Sequence, residues 1–95
     1  DLIAERVLTL GGTPLHTFAD YIENSKLQIG KNISKDVEAI QLILESLSVL
    51  LQVERVILAK AADINDEGTN SMMSDFIVEQ EKTNWMLKAW MEEEI

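Results

Sequence analysis

No cysteine occurs among the 95 residues, so disulfides and thiolate metal sites are excluded outright. Proline appears once and glycine four times, and aromatic residues make up only 5%. With 46% hydrophobic residues, that scarcity of breakers suits a helical chain. Cationic side chains are also few: eight Lys and Arg against seventeen Asp and Glu give a net charge of −9. Such a surface repels phosphate and anionic lipid, and it draws cations into any acid-lined opening. Within these residues there is no signal peptide, targeting segment or apolar run of membrane length. The chain begins at Asp1 inside an apolar-periodic helix with no capping residue upstream, and the expectation is that an N-terminal portion precedes it. Ninety-five residues make less than an average domain, and much of their apolar surface is expected to need a partner.

The pattern along the chain predicts only helices. Residues 1–10 finish a first one, where Gly11-Gly12 supply a left-handed C-cap and Pro14 forbids continuation. A short amphipathic helix runs from Leu15 to about Glu23 through Phe18, Tyr21 and Ile22, and residues 24–33 form a polar connection. Ser34 is the expected N-cap of a long helix reaching about residue 62, roughly 40 Å at about 1.5 Å per residue. Val37, Ile40, Leu44, Leu47, Leu51 and Leu58 make its main stripe, which Glu54 interrupts. Flanking stripes of Ile43, Leu50 and Ile57 and of Val49, Val53 and Val56 imply burial on more than one side. After a turn at residues 63–68, with Asp66 able to cap, a last helix spans about 69–93. Met73, Phe76, Thr83, Leu87 and Trp90 are read as its inner face, with Met72 and Met86 beside them. Two long helices joined by a short turn form an antiparallel pair.

Chemistry centres on carboxylates. Asp1 and Glu5 are four apart, so they share a helix face with about 6 Å between Cβ atoms and offer hard oxygen ligands to iron or manganese. On spacing alone, a solvated face explains such a pair more simply. Asp63, Asp66 and Glu67 cluster at the turn before the last helix, where capping and an acidic opening are both open readings. Asp75 and Glu79, also one turn apart, are read as solvent-facing, and so is the acidic end Glu92-Glu93-Glu94. His16, the only histidine, is read as a capping or surface residue. Trp85 and Trp90 point in different directions and pack in a core or interface, while Met72, Met73, Met86 and Met91 fill gaps in a core.

Three strings together are more specific than any pair. Asp1-Leu-Ile-Ala-Glu5-Arg6 leads into Gly11-Gly12-Thr13-Pro14, Asp66-Glu67-Gly68-Thr69 precedes the last helix, and Glu79 to Trp90 lies within it. With the order and length of the elements, they resemble the Dps family of mini-ferritins over residues 1 to about 91. The resemblance implies an all-α, ferritin-like four-helix bundle, of which residues 1–95 would be a partial domain lacking the first helix and part of the second. It also implies half of a ferroxidase site, in which Asp1 and Glu5 bind iron with histidines from the earlier segment of a neighbouring subunit and Arg6 balances part of their charge. Iron is then the cofactor and ferrous iron with hydrogen peroxide the reactants. The setting would be a cytoplasmic homo-oligomeric shell, a dodecamer, that stores iron and protects against oxidants. Asp63, Asp66 and Glu67 would line a pore through which iron enters.

Family DNA binding depends largely on basic tails, and none lies in this acidic segment. A basic tail upstream would restore it. The alternative from another class is a non-catalytic helical interaction module with Asp1 and Glu5 as surface acids. An intramolecular di-iron site would want a Glu-x-x-His pair on the bundle helices, and the sequence contains none.

Overall fold

The computed structural model describes residues 1–94, with side chains through residue 92, and all regular structure among them is α-helical. Four helices follow in order: α1 (Leu2–Thr9), α2 (Phe18–Asn24), α3 (Asp36–Asp63) and α4 (Glu67–Glu94). Two of the helix ends close in the same way, for a reason visible in the residues. After α1, Gly11 takes φ 87°, so that its N–H reaches Leu8 O at 3.0 Å and Gly12 N–H reaches Val7 O at 2.9 Å. After α3, Asn65 takes φ 59°, its N–H reaching Ala62 O at 3.1 Å while Asp66 N–H reaches Ala61 O at 2.8 Å. Glycine and asparagine are the residues that enter the left-handed region at least cost, and the paired bonds satisfy carbonyls the helix leaves open.

Helix starts differ by a few residues from the sequence reading. Thr17, whose hydroxyl accepts from Asp20 N–H at 3.1 Å, begins α2 three residues later than Leu15. Ser34 does not cap α3: Lys35 occupies that position without a side-chain hydrogen bond, and Asp36 and Glu38 in the first turn favour the helix dipole instead.

Helices α3 and α4 form the antiparallel hairpin that holds the core, and they are the only helix pair in extensive contact among the described residues. From α3 come Leu47, Leu51, Glu54 and Ala61, all buried, and from α4 Met73 and Met91. The inner face of α4 carries Met73, Phe76, Leu87 and Trp90 as the apolar stripe implies, with Gln80 and Asn84 half-buried among them. Thr83 and Met86, expected there, are exposed. Glu54 accounts for the difference. It is 7% exposed, and its Oε2 accepts from Gln80 Nε2 at 2.8 Å, so the residue that interrupts the α3 stripe recruits a polar partner into the α4 face.

Other apolar side chains stay open. Ile43, Leu50, Val53, Val56 and Ile57 on α3, and Val78 and Trp85 on α4, are exposed in the single chain, while Trp90 is half-buried. Of the expected acidic end, Glu92 is exposed and the side chains of 93 and 94 lie outside the described residues. No helix among the described residues is long and apolar enough to cross a membrane.

Candidate metal-binding carboxylates and the turn beside them

Helix α1 carries Asp1 at its N-cap and Glu5 one turn later. Asp1 Oδ1 accepts from Ile3 N–H at 2.9 Å and from Ala4 N–H at 3.3 Å. The bonds occupy one oxygen, and Oδ2 has no partner among the described residues. Glu5 makes no side-chain hydrogen bond or ion pair among the described residues, and both side chains are exposed. Asp1 also edges a groove of about 400 Å³ between α1 and α2, lined by Ile3, Ala4, Val7, Pro14 and Tyr21. The pair is therefore accessible, and no cation pairs with it among the described residues.

Arg6 follows Glu5 in sequence but does not neutralise it. Its Nη2 donates to Asp66 Oδ1 at 2.7 Å and its Nε to Thr69 Oγ1 at 3.0 Å, joining α1 to the turn before α4. The expected role of Arg6 in balancing Asp1 and Glu5 is thus replaced by a link to the hairpin. Gly68 makes room for that link, since a Cβ there would stand 2.5 Å from Arg6 Nη2 and 2.8 Å from Cζ.

Asp66 is the most heavily used carboxylate among the described residues. Besides Arg6, Oδ1 accepts from Thr69 N–H at 3.1 Å, which is N-cap geometry, and Oδ2 accepts from the Thr69 hydroxyl at 2.6 Å. Thr69, through its hydroxyl and then its backbone N–H, holds the Asp66 carboxyl below its ordinary range, and Arg6 adds to the effect. Asp63 and Glu67, its neighbours in the expected pore group, are exposed and make no side-chain bonds among the described residues. The turn thus separates the three acids into one engaged and two open.

Elsewhere, Asp75 and Glu79 are exposed on α4, and His16 is exposed with Nδ1 3.4 Å from Pro14 O. Among the described residues no three of His, Cys, Asp and Glu gather around one point as a metal cluster would. Sequence reasoning missed the Arg6–Asp66–Thr69 link. Only the joint presence of Ala-Glu-Arg and Asp-Glu-Gly-Thr hinted at it.

Comparison with known proteins places this geometry in a family. A model of the ferritin-like domain matches residues 1–94. A protein of Haemophilus influenzae is 45% identical over 89 residues, covering 94% of this chain and 56% of its own length. The DNA protection during starvation protein of Porphyromonas gingivalis is 31% identical over 90 residues, covering 95% of this chain and 57% of its own. Among solved structures, the Dps protein of Vibrio cholerae O1, described as a member of a superfamily of ferritin-like diiron-carboxylate proteins, superposes with a TM-score of 0.94. It is 40% identical and covers 96% of this chain and 57% of that one. The chain thus spans a little over half the length of these relatives. It belongs to the ferritin-like domain family, in its Dps branch.

Proposed function

We propose that the chain contributes the carboxylate half of an iron-oxidising site in a Dps-type shell, which stores the oxidised iron in the cytoplasm and protects against peroxide and iron-driven damage. The observation that carries this reading is the open pair Asp1 and Glu5, accessible on one face of α1 while the adjacent cation, Arg6, is bound elsewhere. Carboxylate oxygens are hard ligands that suit ferrous iron and favour the ferric state more, because their charge is stabilising in proportion to the charge they face. Two carboxylates do not fill the coordination sphere of iron. The remaining ligands are assigned to histidines of a neighbouring subunit, by similarity to the family.

In the reaction, two ferrous ions each give one electron to hydrogen peroxide. Its O–O bond breaks, and two protons are taken up as two waters leave. Asp1 and Glu5 would orient the iron and hold the ferric product until it moves to the mineral. The homo-oligomer is supported by the apolar residues that α3 leaves exposed, Ile43, Leu50, Val53, Val56 and Ile57, which suit subunit or bundle contacts. Asp63 and Glu67, open at the turn, remain as pore-lining candidates for iron entry. A DNA partner is not favoured, because a surface with net charge −9 repels the duplex.

The alternative, a non-catalytic helical assembly module, shares the fold and the apolar surfaces. The two readings separate on one variant. Asp1→Asn with Glu5→Gln is close to isosteric and removes both anionic ligands. In the assembled protein it should slow peroxide-driven ferrous oxidation by more than about a hundredfold, because loss of even an outer partner of a metal ligand typically costs about 10–100-fold. Assembly should be unaffected. Oxidation at the wild-type rate would favour the assembly module.

A further inference from the structure

The link between Arg6 and the hairpin turn has a consequence for the carboxylates on the same helix. We propose that Arg6 is the positioning residue of the Asp1–Glu5 pair, its guanidinium setting the rotation of α1 against the α3–α4 hairpin. The proposal rests on the reading that this pair binds iron.

Successive helical residues are about 100° apart around the axis, so Arg6 leaves α1 on a flank adjoining the one that carries Glu5. From that flank it reaches a turn 60 positions away and makes two bonds there, to Asp66 at 2.7 Å and Thr69 at 3.0 Å. A planar guanidinium bound at two nitrogens resists rolling of its helix in a way that a single point charge does not. The receiving group is itself immobile. Asp66 is fixed by the Thr69 N–H and hydroxyl and by its own N–H on Ala61 O. Gly68 completes the seat by leaving the surface of α4 bare where the guanidinium lies. At 26% exposure the arginine side chain is also partly shielded from competing water.

Cobalt(II), which does not oxidise under these conditions and reports its ligands in its visible spectrum, tests this in the assembled protein. Variants are compared at equal oligomeric state. Arg6→Gln should weaken cobalt binding at the Asp1–Glu5 pair about tenfold and alter the spectrum, as loss of a ligand's outer partner does. Gly68→Ala should do the same without removing any charge, by displacing the guanidinium, even though Ala is the better helix former. Arg6→Lys should recover little, having charge but no fork. Glu54→Ala, which weakens the hairpin core away from α1, should leave affinity and spectrum unchanged. Wild-type cobalt affinity and spectrum in both Arg6→Gln and Gly68→Ala would overturn the proposal, as would an equal loss in Glu54→Ala. Asp1→Asn/Glu5→Gln serves as the reference. If it loses cobalt binding while the Arg6 and Gly68 variants keep it, positioning fails and the iron site stands. If it keeps cobalt binding, the iron site itself fails.

Discussion

Asp66 and Asp1 carry the same group, yet their carboxylates have opposite fates. At the start of α4, the Asp66 side chain is 16% exposed and both of its oxygens are taken, by Arg6 and Thr69. In α1, Asp1 is exposed and stands one turn from a Glu5 that makes no side-chain bond among the described residues. Glu54 joins Asp66 through its Oε2, which accepts from Gln80, while its Oε1 is buried without a partner among the described residues. Asp63 and Glu67 belong with Asp1. The difference teaches that acidity in this chain has two uses. Engaged carboxylates hold α1, α3 and α4 together, and open ones are free to meet a cation. Altering the first group should change stability, and altering the second should change iron chemistry with stability intact.

The largest expected stability effect is at Glu54. Glu54→Ala leaves the Gln80 amide buried without its acceptor and should destabilise the protein by about 1–3 kcal/mol in denaturant unfolding. Replacing both, Glu54→Leu with Gln80→Leu, should recover most of that loss, since removing both partners for apolar groups is often neutral or better. A double variant as unstable as Glu54→Ala would move Glu54 out of the engaged group.

A smaller effect, visible only through pH, belongs to Asp66. Its carboxyl sits below the ordinary range because Thr69 and then Arg6 favour the charged form. Stability from that preference is complete above the unfolded value, about 4, and is lost as pH falls through the lower folded value. Asp66→Asn keeps a cap and loses the charge, so its stability deficit at neutral pH should shrink as the solution is acidified through that window. A deficit that stays constant into strong acid would show that the charge of Asp66 contributes nothing.

The smallest effect is expected from Asp63→Asn with Glu67→Gln. Both residues are exposed, so stability should stay within about 0.5 kcal/mol of wild type. Iron uptake at low ferrous concentration should slow, and salt should slow the wild type in the same direction, because at about 0.1 M the screening length is only about 10 Å. Uptake insensitive to both changes would leave these two as ordinary turn acids.

Much of the fold was legible because it is local. Gly11 and the caps act over three or four residues, and the α3 stripe repeats at the helical period, so no distant partner is needed to read them. Helix starts at Thr17 and Lys35 escaped because several polar residues in a row can cap, and extended backbone rather than side-chain type decides among them. On α4, the half-buried place of Gln80 and the exposure of Thr83 escaped for a stronger reason. Periodicity weights apolar side chains, but Gln80 is drawn inward by Glu54, a residue on another helix. Arg6 was likewise hidden. Its neighbours in sequence suggested Glu5, while its partners lie about sixty positions on. The carboxylate pair itself could be read from spacing, but its openness depends on where Arg6 goes.

Asp75 and Glu79 provide the control that the central claim needs, being the same residue types at the same spacing, exposed on α4. The most direct test is an anaerobic titration of ferrous iron into the assembled wild type, Asp1→Asn/Glu5→Gln, and Asp75→Asn/Glu79→Gln. Loss of tight ferrous binding in the α1 variant, with wild-type binding in the α4 variant, is the predicted result. Undiminished binding in the α1 variant, or an equal loss in both, would contradict the assignment of Asp1 and Glu5 as iron ligands.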